Sequence, residues 1–247
     1  MKLAARCLQL DVGNSGAKWR LLEHGGVTAR GTYRRDDPTS RDALLNCTQQ
    51  LQQVWVSSVA EAAAQAELTR LLFERWGVAP WYASSRARTG DLHNSYARPE
   101  RMGVDRWLAM LAARQRARER ACVVDAGSAL TIDLISASGQ HEGGYIIPGP
   151  QLMERSLLLD TDRVRFAGET VGAALVPGSS TATAVRHGIA LAQAGAVSLA
   201  LDRAGEPAPR VFFCGGAGAT LQQLLGRGGE LVPDLVFEGL EVLAASA

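Results

Sequence analysis

"LQLDVGNSGAKWRLLEHG", residues 8–25, ends an apolar run on a carboxylate, Asp11, and follows it with a turn of small polar residues and one lysine. A turn of Gly13, Asn14 and Ser15 can aim several backbone N–H groups into one concavity, as a phosphate chain requires. Glycine removes the side chain that would hold a phosphate away, Asn and Ser add donors, and Lys18 adds a point charge. An aspartate beside phosphates is repelled unless a divalent cation lies between them, so Asp11 reads as an inner- or outer-sphere Mg²⁺ partner. A single turn of this type is more often a plain hairpin.

The stretch has a second copy. "CVVDAGSALTIDLISASG", residues 122–139, aligns with Asp11 over Asp125, Gly13 over Gly127, Asn14 over Ser128, Ala17 over Thr131, Leu21 over Ile135 and Gly25 over Gly139. Both copies read strand, Asp-x-Gly-polar turn, strand, glycine turn. Two copies of one supersecondary unit predict two similar domains, each opening with a hairpin. Two such turns facing each other would hold a nucleoside triphosphate from both sides. A third glycine turn, "FFCGGAGATL" (residues 212–221), follows a strand and precedes a helix.

Around these hairpins, strand-like and helix-like runs alternate, which predicts an α/β architecture. Helices are expected from Arg41 to Gln53 and along "AEAAAQAELTRLLFERWG" (residues 60–77), the second stopping at the cap position Gly77. "LVPDLVFEGLEVLAAS" (231–246) reads as a short connection into a last helix. The 247 residues carry a formal charge of +1, which gives no support for a nucleic-acid or membrane-surface protein. Arg114, Arg116, Arg118 and Arg120 recur every two residues, about 200° apart on a helix, and so form no single basic stripe. The four cysteines form no C-x-x-C pair and read as small buried hydrophobes of a reducing compartment; the four histidines show no metal spacing. No uncharged run reaches the roughly 18 residues that span a bilayer, and the N-terminus lacks a signal-peptide pattern, so the expected location is cytoplasmic.

Four further stretches narrow the reading: "RMGVDRW" (101–107), the second hairpin, "GGYIIPG" (143–149) and "SSTATAVRHG" (179–188). With the first hairpin they resemble the acetate and sugar kinase, Hsp70 and actin superfamily, and within it the type III pantothenate kinases. The resemblance spreads from Asp11 to Gly188 in the family's order. It implies two ribonuclease-H-like (actin-like) α/β domains, 1–118 with the phosphate loop and 119–247, with an active-site cleft between them. The implied activity is phosphorylation of the 4′-hydroxyl of pantothenate by ATP, the first step of coenzyme A synthesis. Mg²⁺ and a monovalent cation (K⁺ or NH₄⁺) are implied as cofactors, and a homodimer as the working form, with no nucleic-acid or membrane partner.

Residue by residue, Asp11, Val12, Gly13, Asn14, Ser15, Gly16, Ala17 and Lys18 match the family's ATP phosphate loop, and Ser128, where threonine is commoner, matches a second nucleotide contact. Asp125 matches the monovalent-cation ligand. Gly103, Val104, Asp105 and Arg106 match the pantothenate-binding segment with Asp105 as base, and Tyr96 matches a further substrate contact. Thr181 matches a contact that completes the site from the partner subunit. Gly16 is a departure expected to loosen the loop.

The chemistry stands beside the resemblance. An aspartate with an ordinary pKa near 4 is ionised at neutral pH and can accept an alcohol proton during phosphoryl transfer. Arg106 can pair with a substrate carboxylate, and Gly143 and Gly144 can form a wall that lets backbone approach the substrate. The bland readings are a helix-start acid with a surface ion pair for Asp105 and Arg106, and a helix N-cap for Thr181, with Ser179 and Ser180 as rivals. Two other functions stay open: a related kinase acting on another small hydroxylated acid or sugar, and a nucleotide-binding accessory transcriptional regulator.

Overall fold

The computed structural model of the chain describes residues 5–160 and 171–246, which group into two units. The first runs to Gln115 and takes in the residues from Leu235 onward; the second is Arg116–Asp234. The last helix therefore returns to the unit that holds the N-terminus, whereas the sequence reading assigns it to the second.

The first unit opens with an antiparallel meander, β1 (Arg6–Gly13), β2 (Gly16–Glu23) and β3 (Gly26–Tyr33). Helix α1 (Pro38–Leu45) leads to β4 (Gln53–Ser58), parallel to β1, and α2 (Ala62–Trp76) leads to a short parallel β5 (Trp81–Tyr82). The sheet order is β3-β2-β1-β4-β5. A small hairpin of β6 (Arg88–Thr89) and β7 (Leu92–His93) precedes α3 (Val104–Arg116). The expected helix at 41–53 is displaced and shorter. Asp37 caps it ahead of Pro38, and it ends at Asn46. The carbonyls beyond its end are taken by Arg75, which donates to Leu45 and Thr48, and by the Trp76 indole, which donates to Thr48. Helix α2 stops as predicted, with Gly77 left-handed at φ 67°.

The second unit repeats the plan. Strands β8 (Ala121–Ala126), β9 (Ala129–Ile135) and β10 (His141–Pro148) form the meander, followed by α4 (Pro150–Asp160) and α5 (Thr181–Ala204). Then come β11 (Arg210–Cys214), parallel to β8, α6 (Gly218–Leu225) and β12 (Glu230–Leu231), in sheet order β10-β9-β8-β11-β12. Helix α7 (Leu235–Ala245) completes the first unit. The internal repeat is thus a repeat of topology as well as of residues.

Strand β1 explains its own composition. Leu8, Leu10 and Val12 face a core with Leu44 of α1 and Leu68, Leu71 and Leu72 of α2. On the other face Gln9 is fully buried, yet satisfied: its carbonyl accepts from Arg20 Nε at 2.7 Å and its amide donates to Glu241 of α7 at 3.3 Å. Arg20 also donates to Glu241 at 2.7 Å and stacks over Phe237. Gly239 of α7 lies so close to the Leu108 backbone of α3 that a Cβ there would collide with it. These contacts fix α7 on the first unit.

In the second unit α5 buries Ala194, Val197 and Ala200 against Cys122, Val124, Ile132 and Phe213. By length and composition α5 could cross a membrane, but its buried stripe is part of this core. A Cβ at Gly195 would meet nothing within 4 Å among the described residues. Among the clustered arginines, Arg114 is paired with Asp91, Arg116 with Glu230 and Arg120 with Glu142. Burial pushes the Cys7 and Cys122 thiols up to about 12, which fits inert core residues.

Candidate active site

The first hairpin closes tightly. Gly13 pairs with Gly16, leaving Asn14 and Ser15, both exposed, as the two-residue turn. Gly16 does not loosen it. Its φ is 144° and a Cβ would stand 2.9 Å from the Tyr33 carbonyl oxygen, so glycine lets the hairpin press against the end of β3. Val12 and Ala17 turn their side chains into the core and can offer a ligand only backbone. Lys18 is exposed and sits opposite Asp11 across the β1–β2 ladder.

Asp11 is the centre of the site in this unit. Its carboxylate accepts a hydrogen bond of 3.0 Å from the Ser57 hydroxyl at the end of β4. Burial, and after it the nearby Asp105 carboxylate, raise its pKa from the ordinary 3.8 to about 6, against the opposing pull of Ser57 and Lys18. Burial disfavours the charged form, and a second negative charge disfavours it further. The turn of "DVGNSGAK" and the acid of "GVDRW", 94 positions apart, are thereby brought together electrostatically.

Asp105 stands in the first turn of α3, where its carboxylate accepts from the Arg106 backbone N–H at 2.8 Å. A Cβ at Gly103 would lie 2.6 Å from Asp105 Oδ1, so glycine there clears the space the carboxylate occupies. Val104 is a core residue. Arg106 is buried and donates to the Tyr96 hydroxyl at 2.8 Å, with its guanidinium 5.8 Å from the Tyr96 ring centre. Neither residue stands on the open surface. Asp105 is half-buried beside Asp11, and Arg106 and Tyr96 form one buried-edge assembly.

The donor set suits a hard cation. Mg²⁺ in phosphoryl-transfer sites is held by one or two carboxylates plus the substrate's phosphates. Two carboxylates whose charges oppose each other, one of them on the strand that leads into a turn with exposed Asn14 and Ser15, fit that requirement. Such an ion would neutralise phosphate charge, and Asp11 would be a residue able to hold it.

In the second unit the turn is Gly127–Ser128, and two later glycines crowd it. A Cβ at Gly149 would lie 2.5 Å from the Gly127 and Ser128 carbonyl oxygens, and the Gly149 N–H donates to Ser128 O at 3.0 Å. Gly215, at φ 81°, abuts Asp125 Oδ1 and the Ala126 carbonyl too closely for any side chain. The Ala217 N–H donates to Ala126 O at 2.9 Å. Close backbone approach at this turn is made by Gly149 and Gly215, while Gly143, at φ 122°, sits at a bulge in β10. Carboxylate, carbonyls and the Ser128 hydroxyl make an oxygen-rich turn, the chemistry a hard cation takes. A cavity of about 230 Å³ adjoins it, lined by Ala217, Thr220, Gln193 and the Glu154–Arg186 ion pair.

The two hairpins differ by one residue. Asp11 pairs with Lys18, but Asp125 pairs with Thr131, so the structural counterpart of Thr131 is Lys18 and not Ala17. Beyond the turn the residue-for-residue alignment slips by one.

Thr181 is the first residue of α5 and is exposed; the cap is Ser180, whose side chain accepts from the Thr183 N–H in a reciprocal capping box. Thr181 borders a cavity of about 750 Å³ with Pro148, Leu152, Leu157 and Val185. Ser57 was missed by sequence reasoning. Its signal was the end of "VWVSS", an apolar strand closing on a hydroxyl as β1 closes on a carboxylate.

A family model for type III pantothenate kinase matches residues 7–203. The chain belongs to that family. A type III pantothenate kinase of Marinobacter nauticus is 37% identical over 241 residues, covering 97% of this chain and 98% of the relative. One from Pseudomonas aeruginosa is 35% identical over 245 residues, covering 94% and 96%. Among solved structures, a candidate Baf family transcriptional activator from Campylobacter jejuni aligns at TM-score 0.61 and 22% identity, covering 96% and 97%. Component A of an (R)-2-hydroxyglutaryl-CoA dehydratase from Acidaminococcus fermentans aligns at TM-score 0.53 and 13% identity, covering 99% and 98%. At these identities the two structures speak for the fold alone, and the fold they share is the actin-like one. Membership of the type III pantothenate kinase family spans both units, since its model begins in β1 and ends in α5.

Proposed function

We propose that this chain transfers the γ-phosphoryl group of ATP to the 4′-hydroxyl of pantothenate, the entry reaction of coenzyme A biosynthesis, with Asp105 as general base. The observation that carries this reading is that Asp105, at the start of α3, lies near enough to Asp11 for their charges to repel, which sets an acid able to deprotonate an alcohol near a phosphate turn. In the step, the alcohol oxygen forms a bond to Pγ, the bond from Pγ to the β–γ bridging oxygen breaks, ADP leaves, and the alcohol proton passes to the Asp105 carboxylate. The Gly13–Gly16 turn and Lys18 hold phosphate oxygens, and Asp11 is the Mg²⁺ partner. Tyr96 and Arg106 are proposed to orient the acceptor at the other end, with the Arg106 guanidinium as the partner of its carboxylate. In the second unit Asp125 is the proposed ligand of a monovalent cation, K⁺ or NH₄⁺, and Ser128 a nucleotide contact. The cavity beside Ala217 and Thr220 offers apolar walls for the nucleoside. This chemistry belongs in the cytoplasm.

The test is ADP release from MgATP with and without pantothenate, in potassium and in sodium. Turnover that requires pantothenate and is several-fold faster in potassium supports the reading. Turnover with other hydroxylated acids or sugars but not pantothenate would replace it with the related-kinase alternative, and binding of nucleotide without turnover on any acceptor would favour the regulator.

The working form is proposed to be a homodimer in which the partner's Thr181 completes the substrate site. Support comes from Thr181 at the rim of a large cavity whose apolar neighbours Leu152 and Leu157 are 51% and 37% exposed. Sedimentation velocity at micromolar concentration should give a single species of twice the 26.3 kDa chain mass. A monomer that retains full activity would sink the shared-site reading.

A further inference from the structure

The geometry points to Ser57 as a positioning residue: its buried hydroxyl fixes one oxygen of Asp11 so that the other is presented to the nucleotide-bound cation. The inference rests on the reading of Asp11 as that cation's partner. Ser57 is 1% exposed and lies directly across the parallel β1–β4 ladder from Asp11. Its Oγ donates to Asp11 Oδ1 at 3.0 Å, which leaves Oδ2 without a hydrogen-bond partner among the described residues. A carboxylate rotates about its last bond unless something holds it, and neighbours that orient a ligand commonly change metal affinity by 10–100-fold when removed.

The molecule contains its own comparison. In the second unit the residue across the parallel ladder from Asp125 is Cys214, in the place Ser57 takes beside Asp11. One position in a repeated topology thus carries a strong donor beside one aspartate and a thiol, a weak donor, beside the other. Fold alone does not demand a hydroxyl there, because the same strand position accepts sulfur in the sister unit. Serine is required by what Asp11 does.

Two substitutions separate orientation from packing. Ser57→Ala removes the hydroxyl, while Ser57→Cys keeps a filled site but exchanges the strong donor for a weak one. The probe is Mn²⁺ with ADP, followed by the electron paramagnetic resonance signal of free Mn²⁺ and by the Mg²⁺ dependence of turnover. Both variants should bind Mn²⁺ in the ADP complex about tenfold more weakly than the parent. Excess Mg²⁺ should restore turnover, the KM for pantothenate should stay put, and melting should be near that of the parent. Parental Mn²⁺ affinity in Ser57→Ala would overturn the assignment, as would a loss in Ser57→Ala that Ser57→Cys fully repairs, since filling the space would then be the whole role. A parent that binds no Mn²⁺ with ADP would instead bring down the reading of Asp11 itself. That outcome is distinct from a Ser57 failure, in which parent and variant bind alike.

Discussion

Replacing Asp105 by asparagine should lower pantothenate-dependent turnover by about 10²–10⁴-fold, the span a positioned general base contributes. The substitution is close to isosteric. Asparagine Oδ1 can still accept the Arg106 N–H bond that holds Asp105 at 2.8 Å, and the space cleared by Gly103 is unchanged. What disappears is the capacity to take the alcohol proton. The expected signature is therefore a collapse in kcat with little change in the KM for pantothenate or in ADP binding. Steady-state kinetics with ADP titration on the same sample reads both. A variant that retains turnover within a few-fold of the parent would remove Asp105 as base.

The second large effect is on stability and runs the other way. Asp11 has its pKa raised from 3.8 to about 6, so the folded chain holds a proton there that the unfolded chain would release. Between pH 4 and 6 the folded state binds more protons than the unfolded one, and stability falls as pH rises through that window. Above it the full cost of a desolvated charge facing Asp105 is present. Asp11→Asn removes the charge while its Oδ1 can still accept from Ser57. Without nucleotide or divalent cation it should be more stable than the parent by roughly 1–3 kcal/mol at pH 7.5, and no more stable at pH 3.5. Urea melts at the two pH values test this. An equal difference at both would mean that something other than ionisation is at work. Turnover should be lost in the same variant, the usual opposition between a strained functional carboxylate and a relaxed fold.

What was legible in the chain followed from local chemistry. Asp-x-Gly turns after apolar runs exposed both hairpins, and Gly77 marked a helix end because glycine alone enters the left-handed region cheaply. Bringing Asp11, Asp105, Arg106 and Tyr96 into one unit took the motifs and the resemblance together. The remainder was hidden for physical reasons. Aligning residue identities cannot see a turn one residue shorter, so Ala17 was matched to Thr131 although Lys18 is its counterpart. Ser57 reaches Asp11 through parallel register across 46 positions, which no local pattern encodes. Ser180 and Thr181 are equally good caps by type, and only the bond that the Thr183 N–H donates to the Ser180 hydroxyl decides between them. Gly149 and Gly215 earn their places by close backbone approach, which composition does not reveal.

The return of α7 to the first unit bears on how the chain matures on the ribosome. Strand β1 precedes the other described elements, but one of its faces stays uncovered, with Gln9 and Arg20 lacking Glu241, until residues 235–246 have been made. The second unit, whose strands and helices are contiguous in sequence, is fully translated before that. The unit whose hairpin is made early is thus the one that is completed late, and until residues 235–246 emerge its phosphate hairpin stands with a polar underside open to solvent.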